Sequence, residues 1–416
     1  MKDDTKNPNR EGGDMMSKQT YKYIVVGAGL AGASAVEGIR KHDKSGSILL
    51  IGEEQHLPYN RPPLSKELWF GKKKIDDIFV HRQDFYDQMG VKLALGTKAV
   101  RLETDQKNIV DNGGKSYHYD KLLLATGGRP KALPIPGGEL DGICYYRYLD
   151  DYQRIKQEAK DGRSVIILGG GFIGSEMAAA LRIKKLKVTM VFPADRLCSR
   201  VFPESLARAV TQRYLSAGIE ISTEDTPASI SRKKDVFVVQ TTKGRQIESD
   251  IIIAGIGIVP ETKLAEEANL ELSKGIVVDQ YLRTSNPDIY AAGDSAVFPY
   301  PALGLTMRVE HWDNAKNQGR SAGENMAGSQ QPYTYMPYFF SDLFEFGYEA
   351  VGQVDSSLDT FADWKRENEA GVIYYLKDQK IRGVMLCNVW KKVEVARELI
   401  RRVDLTTPEN LKGLIR

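Results

Sequence analysis

Two glycine-rich turns are the residues of this 416-residue chain whose types and spacing first point to chemistry. Gly27-Ala28-Gly29-Leu30-Ala31-Gly32 and Gly169-Gly170-Gly171-Phe172-Ile173-Gly174 share the spacing G-x-G-x-x-G. In such a turn the first glycine makes a tight bend, the second lets the backbone approach a pyrophosphate, and the third lets a helix pack closely. The helix N-terminus then faces the phosphate charge. An acid about 20 residues further on accepts hydrogen bonds from a ribose, and Glu53, followed by Glu54, stands 21 residues beyond Gly32. In the second unit that place holds Phe192-Pro193-Ala194-Asp195, and Arg196 and Arg200 follow as cations suited to a 2′-phosphate. The choice between NADH and NADPH is open on these residues. Cys144, Cys198 and Cys387 make no CxxC and no zinc pattern, so neither a metal site nor a dithiol centre is expected.

A turn of this kind needs a buried strand before it and a helix after it. Both units supply them. Lys22–Val26 leads into the first turn, a helix runs to about Lys41, and Ser47–Ile51 reads as the next strand. About 140 residues on, Ser164–Leu168, a helix to about Lys185 and Val188–Phe192 repeat the order, which means two dinucleotide sites on Rossmann-like units. Short alternating strands are expected over Lys72–Leu124 and Ile219–Ile258. Beyond Pro332 an aromatic-rich segment, strands at 371–376 and 381–387 and a helix near 391–403 suggest a third, α+β domain. Residues 1–20 read as a polar tail, neither signal nor transit peptide. The 58 Lys and Arg against 55 Asp and Glu leave +3, too little for a nucleic-acid footprint. No apolar run reaches the roughly 18 residues of a membrane span, and a cytoplasmic protein is expected.

With these motifs the sequence resembles the FAD oxidoreductases that carry two dinucleotide-binding domains in a glutathione-reductase-like architecture. Three further segments carry the likeness. Ala125-Thr126-Gly127-Gly128-Arg129-Pro130 is similar to the crossover between the domains, Gly257-Ile258-Val259-Pro260 to the turn after the last nicotinamide-domain strand, and Ile289-Tyr290-Ala291-Ala292-Gly293-Asp294 to the pair that contacts the flavin ribityl and pyrophosphate. Leu57-Pro58-Tyr59-Asn60-Arg61-Pro62-Pro63-Leu64-Ser65-Lys66-Glu67-Leu68-Trp69 resembles a segment shared by apoptosis-inducing factor and the ferredoxin reductases of oxygenase systems. Thiol-using relatives have a cysteine where Lys66 stands. Arg308–Asp313, Gly323–Met326, Ser341–Leu343, Gly347–Ala350 and Val354–Leu358 narrow the resemblance towards apoptosis-inducing factors. Three departures follow. No long insertion lies between Asp363 and Gly371, Ala194 stands for a ribose-contacting Glu, and Phe340 stands for a Trp near the nicotinamide.

The resemblance implies an α/β protein with the FAD domain at 21–148 and 276–331, the NAD(P)H domain at 149–275 and the C-terminal domain at 332–416. It implies Gly27 to Gly32, Glu53, Glu54, Arg61, Lys66, Thr126, Gly127, Lys131, Asp294, His311 and Trp312 around FAD. Around the nicotinamide nucleotide it implies Gly170, Gly171, Phe172, Ile173, Glu176, Arg200, Gly257, Glu310, Phe340, Glu349 and Asn388. Lys66, Glu176 and His311 are the expected catalytic groups. A lysine beside the flavin favours the charge that develops as hydride arrives, and Glu176, on the first turn of the second helix, would hold it there by an ion pair. For His311 positioning is preferred to proton transfer. Expected partners are NADH or NADPH, a ferredoxin or quinone acceptor, and a second copy in a homodimer. The basic run Arg182–Lys187 reads as a solvated helix face or a steering site for an acidic ferredoxin. The competing reading is a redox-gated interaction protein whose long-lived reduced flavin and nicotinamide complex drives dimerisation.

Overall fold

The computed structural model describes residues 19–402 and 405–415. The strand Gln19–Val26 ends in four buried residues and runs into Gly27 at φ +116°. A Cβ there would lie 2.1 Å from the Ala125 carbonyl oxygen, so the turn admits only glycine. Helix Leu30–His42 follows, and the buried strand Ile48–Gly52 returns parallel to the first, Tyr23 opposite Ile48. Val91–Leu95, Ile48–Gly52, Gln19–Val26 and Ser116–Leu124 lie side by side in parallel, and Ile289–Ala291 joins the end of the last. Ala99–Glu103 and Asn108–Asp111 extend the sheet antiparallel.

The second unit repeats the device. Gly169 has φ +122°, and its Cβ would meet the Gly255 carbonyl oxygen at 2.3 Å. Around it, Glu220–Ser222, Lys187–Val191, Ser164–Leu168, Ile251–Ala254 and Ile143–Cys144 form a parallel sheet, crossed by helix Phe172–Ile183. Gly128–Pro130 and Ile258–Pro260 pair antiparallel where the chain passes between the units. The last region is an antiparallel sheet in the order Tyr338–Leu343, Phe346–Gly352, Lys380–Cys387, Ala370–Lys377, Asp359–Arg366. Helix Val393–Arg401 packs on it through Ala396, Leu399 and Ile400. This is the expected α/β class, two Rossmann-like units and a C-terminal α+β region.

Several boundaries differ from expectation. Gln19 and Thr20, read as tail, belong to the first strand because their backbones pair with Tyr117 and His118. The remainder of that tail, 1–18, lies outside the described residues, as does residue 403 at the end of the expected terminal helix. Ile143–Cys144 joins the second sheet ahead of the boundary at 149, a two-residue strand too short to show periodicity. Leu264, Ala265 and Leu270 pack in the first core ahead of the boundary at 276. Among the described residues no helix is long and apolar enough to cross a membrane.

Candidate functional site

Lys66 ends a 3₁₀ turn, Pro62–Ser65, whose two prolines fix the backbone. Trp69 donates its indole N–H to the Tyr146 hydroxyl at 2.7 Å, and that hydroxyl donates to the Leu64 carbonyl at 2.5 Å, so the turn is pinned from behind. Lys66 Nζ lies 2.6 Å from Glu176 Oε1, and both side chains are less than a tenth exposed. Two contacts had no counterpart in the sequence reading. Ser65 donates to Glu176 Oε2 and Ser341 to Oε1, each at 2.5 Å. The Phe340 ring lies 5.3 Å from Lys66 Nζ. The pair therefore stands where the first unit, the second unit and the C-terminal sheet meet.

Around the first turn, a Cβ on Gly29 meets no atom within 4 Å. Helix Leu30–His42 begins at Gly29 with no side-chain cap, which leaves its first N–H groups facing that space. Arg61 Nη1, Arg147 Nε, Arg308 Nε and Gln318 Nε2 are buried without partners. Open space at an uncapped helix N-terminus and orphaned cationic donors fit a dinucleotide of FAD size and charge. Arg61 pairs with Glu54 at 3.0 Å over the Tyr148 ring, and Arg147 pairs with Asp294 at 3.2 Å. Glu53 lies just beyond the strand end, exposed and 3.0 Å from Lys98. Trp312 donates to Asn60 at 2.7 Å. His311 stacks on Phe339, centroids 4.4 Å apart, and burial pushes its imidazole down to about 4 against the pull of Asp294.

On the second turn Gly171 likewise meets nothing within 4 Å and caps its helix without a side chain. Phe172 contacts Phe339 and Tyr348, while Ile173 is 41% exposed. Phe340 faces Glu349 across the strand pair, and burial raises the proton affinity of Glu349, whose Oε2 has no partner. Arg200 is exposed on a loop that the Cys198 N–H ties to the Gly170 carbonyl at 2.9 Å. Glu310 pairs with Arg308 at 2.5 Å. Two of the expected residues make bonds within the protein. Asn388 is spent on a turn, accepting from the Gly347 N–H at 3.0 Å and donating to the Glu369 carbonyl at 2.9 Å. The side chain of Lys131, expected at FAD, lies over Gly257 and its backbone N–H donates to the Gly257 carbonyl at 3.0 Å, while Thr126 donates to the Glu261 carbonyl at 2.6 Å near Gly127. All three cysteines are buried, and burial pushes the Cys144 and Cys198 thiols up to about 12.

Residues 21–319 match the family model for pyridine nucleotide-disulphide oxidoreductase, and 322–370 with 362–402 match the C-terminal model of mitochondrion-associated apoptosis-inducing factor. The chain is 34% identical to apoptosis-inducing factor 1, mitochondrial, of Dictyostelium discoideum, over 92% of its own length and 78% of that protein's. It is 30% identical to the ferredoxin–NAD(+) reductase component of the anthranilate 1,2-dioxygenase system of Burkholderia cepacia, over 94% and 96%. Putidaredoxin reductase, solved as a covalent complex with putidaredoxin, superposes with a TM-score of 0.88 at 28% identity, covering 94% and 95%.

Proposed function

We propose that this chain, which belongs to the pyridine nucleotide-disulphide oxidoreductase family and is an FAD-dependent NAD(P)H oxidoreductase, passes its electrons to a small ferredoxin-type carrier protein. FAD, when bound, would supply the hydride- and electron-transfer chemistry. The protein's part is to bind, orient and set charge. Arg61, Arg147, Arg308 and the open N-terminus at Gly29 would hold FAD, and the open N-terminus at Gly171 would hold the pyridine nucleotide. Lys66 would present its ammonium to the flavin while Glu176 keeps that ammonium in place. His311, neutral near pH 7, would serve as a flat wall with Phe339 rather than as an acid.

The observation that carries the reading is the buried Lys66–Glu176 pair, standing between two uncapped glycine turns while every thiol is buried and protonated. Of the two sequence readings, the matches favour the reductase over the redox-gated interaction protein. Stopped-flow reduction with NADH and, separately, NADPH, followed by mixing with a ferredoxin, a quinone and air, tests it. Fast reoxidation by the ferredoxin is expected. Reoxidation by oxygen or quinone alone would refute the carrier assignment. The homodimer expected from the resemblance is tested by sedimentation with and without NADH. We place the chain in the cytoplasm, where NADH meets such carriers, and a fusion protein found in another compartment would overturn that.

A further inference from the structure

Glu176 is 4% exposed on the second turn of helix Phe172–Ile183, and its carboxylate is filled from two other regions of the chain. Oε1 accepts from Lys66 at 2.6 Å and from Ser341 at 2.5 Å, and Oε2 accepts from Ser65 at 2.5 Å. A carboxylate so buried is costly unless donors fill its lone pairs. Ser65 comes with Lys66 on one turn. Ser341 lies 165 residues from Glu176 in sequence and comes from the strand Tyr338–Leu343. Its own place is rigid, since it pairs across the sheet with the fully buried Tyr348, whose ring is packed among Phe172, Phe202, Phe339 and Phe346.

We infer that Ser341 is a positioning residue for the flavin chemistry: through one hydroxyl the C-terminal sheet holds the Glu176 carboxylate in place and so keeps Lys66 aimed. Ser65 supports the other oxygen of the same carboxylate. The inference rests on the FAD reading above. It makes the C-terminal region, which carries no glycine turn, a determinant of how readily the flavin is reduced. Drawing charge off Glu176 leaves more of the Lys66 field uncancelled, and that field favours the reduced, more negative flavin.

The test compares Ser341→Ala, Ser341→Thr and Ser65→Ala with the parent holoenzyme. FAD content, the midpoint potential of the bound flavin against a reference dye, and kcat and KM for NADH are measured separately. Ser341→Ala is expected to keep FAD, shift the potential in the negative direction and lower kcat by roughly 3- to 10-fold with KM little changed. Ser341→Thr, which keeps the hydroxyl, is expected to restore both. A parent-like potential and kcat in Ser341→Ala overturn the inference, and so does a threonine variant as impaired as the alanine one. If Ser341→Ala loses FAD, Ser65→Ala decides: the same negative shift supports the clamp and none overturns it. A parent protein that takes up no FAD overturns the underlying reading instead, and that result is separate from any difference among the variants.

Discussion

At the scale of single residues, Lys66 and Glu176 form a buried pair whose members depend on each other. Removing one partner of such a pair costs about 3–5 kcal/mol, because the other is left as a buried unpaired charge. Lys66→Ala is therefore expected to lower stability by about that much, to retain FAD, and to slow flavin reduction by roughly tenfold or more. Lys66→Met with Glu176→Gln should regain stability but not rate, which urea titration and stopped-flow reduction would separate. His311 gives a pH signature. Its imidazole lies at about 4 in the fold against 6.5 ordinarily, so between those values the unfolded chain binds a proton that the folded one does not. Its contribution to stability is whole above pH 6.5 and falls as pH drops towards 4. His311→Gln is expected to flatten that part of the curve of urea midpoint against pH relative to the parent.

At the scale of elements, the two glycine turns were legible because their chemistry is local: Gly27 and Gly169 sit at positive φ that the motif itself demands. The strand and helix on each side fell within three residues of their expected ends for the same reason. Ser341 was not legible as a site residue. It reaches Glu176 only because Tyr338–Leu343 pairs with Phe346–Gly352, and a run of Tyr, Phe, Phe, Ser, Asp and Leu has no clean alternation to announce a strand, still less its neighbour. Asn388, carried over by resemblance, also holds a turn of its own, a role no local pattern announces. The turns also make a sharp test. A Cβ at Gly29 meets nothing in the protein, so Gly29→Ala should fold normally yet copurify with less FAD, read from the ratio of visible to ultraviolet absorbance. Gly171→Ala should keep its FAD and raise KM for the pyridine nucleotide several-fold.

At the scale of the whole molecule, the C-terminal region is tied to the first unit by a second buried pair. Arg397 lies 3.3 Å from Asp313, both side chains less than a tenth exposed, and Arg397 also bonds the Met336 carbonyl and the Tyr335 hydroxyl at 2.7 Å. Asp313 follows Trp312 on the helix Trp312–Met326, so this tie fixes the helix start that carries His311 and Trp312. Arg397→Ala is expected to cost about 3–5 kcal/mol and to weaken FAD retention. A variant with unchanged urea midpoint would show the tie to be ornamental. The buried thiols have a practical consequence of another kind. With Cys144, Cys198 and Cys387 all enclosed, the native surface offers maleimide or iodoacetamide nothing to attack, so one cysteine introduced at an exposed position such as Trp390 would take a fluorophore stoichiometrically. Carrier docking could then be watched one molecule at a time, without first stripping the protein of its own cysteines.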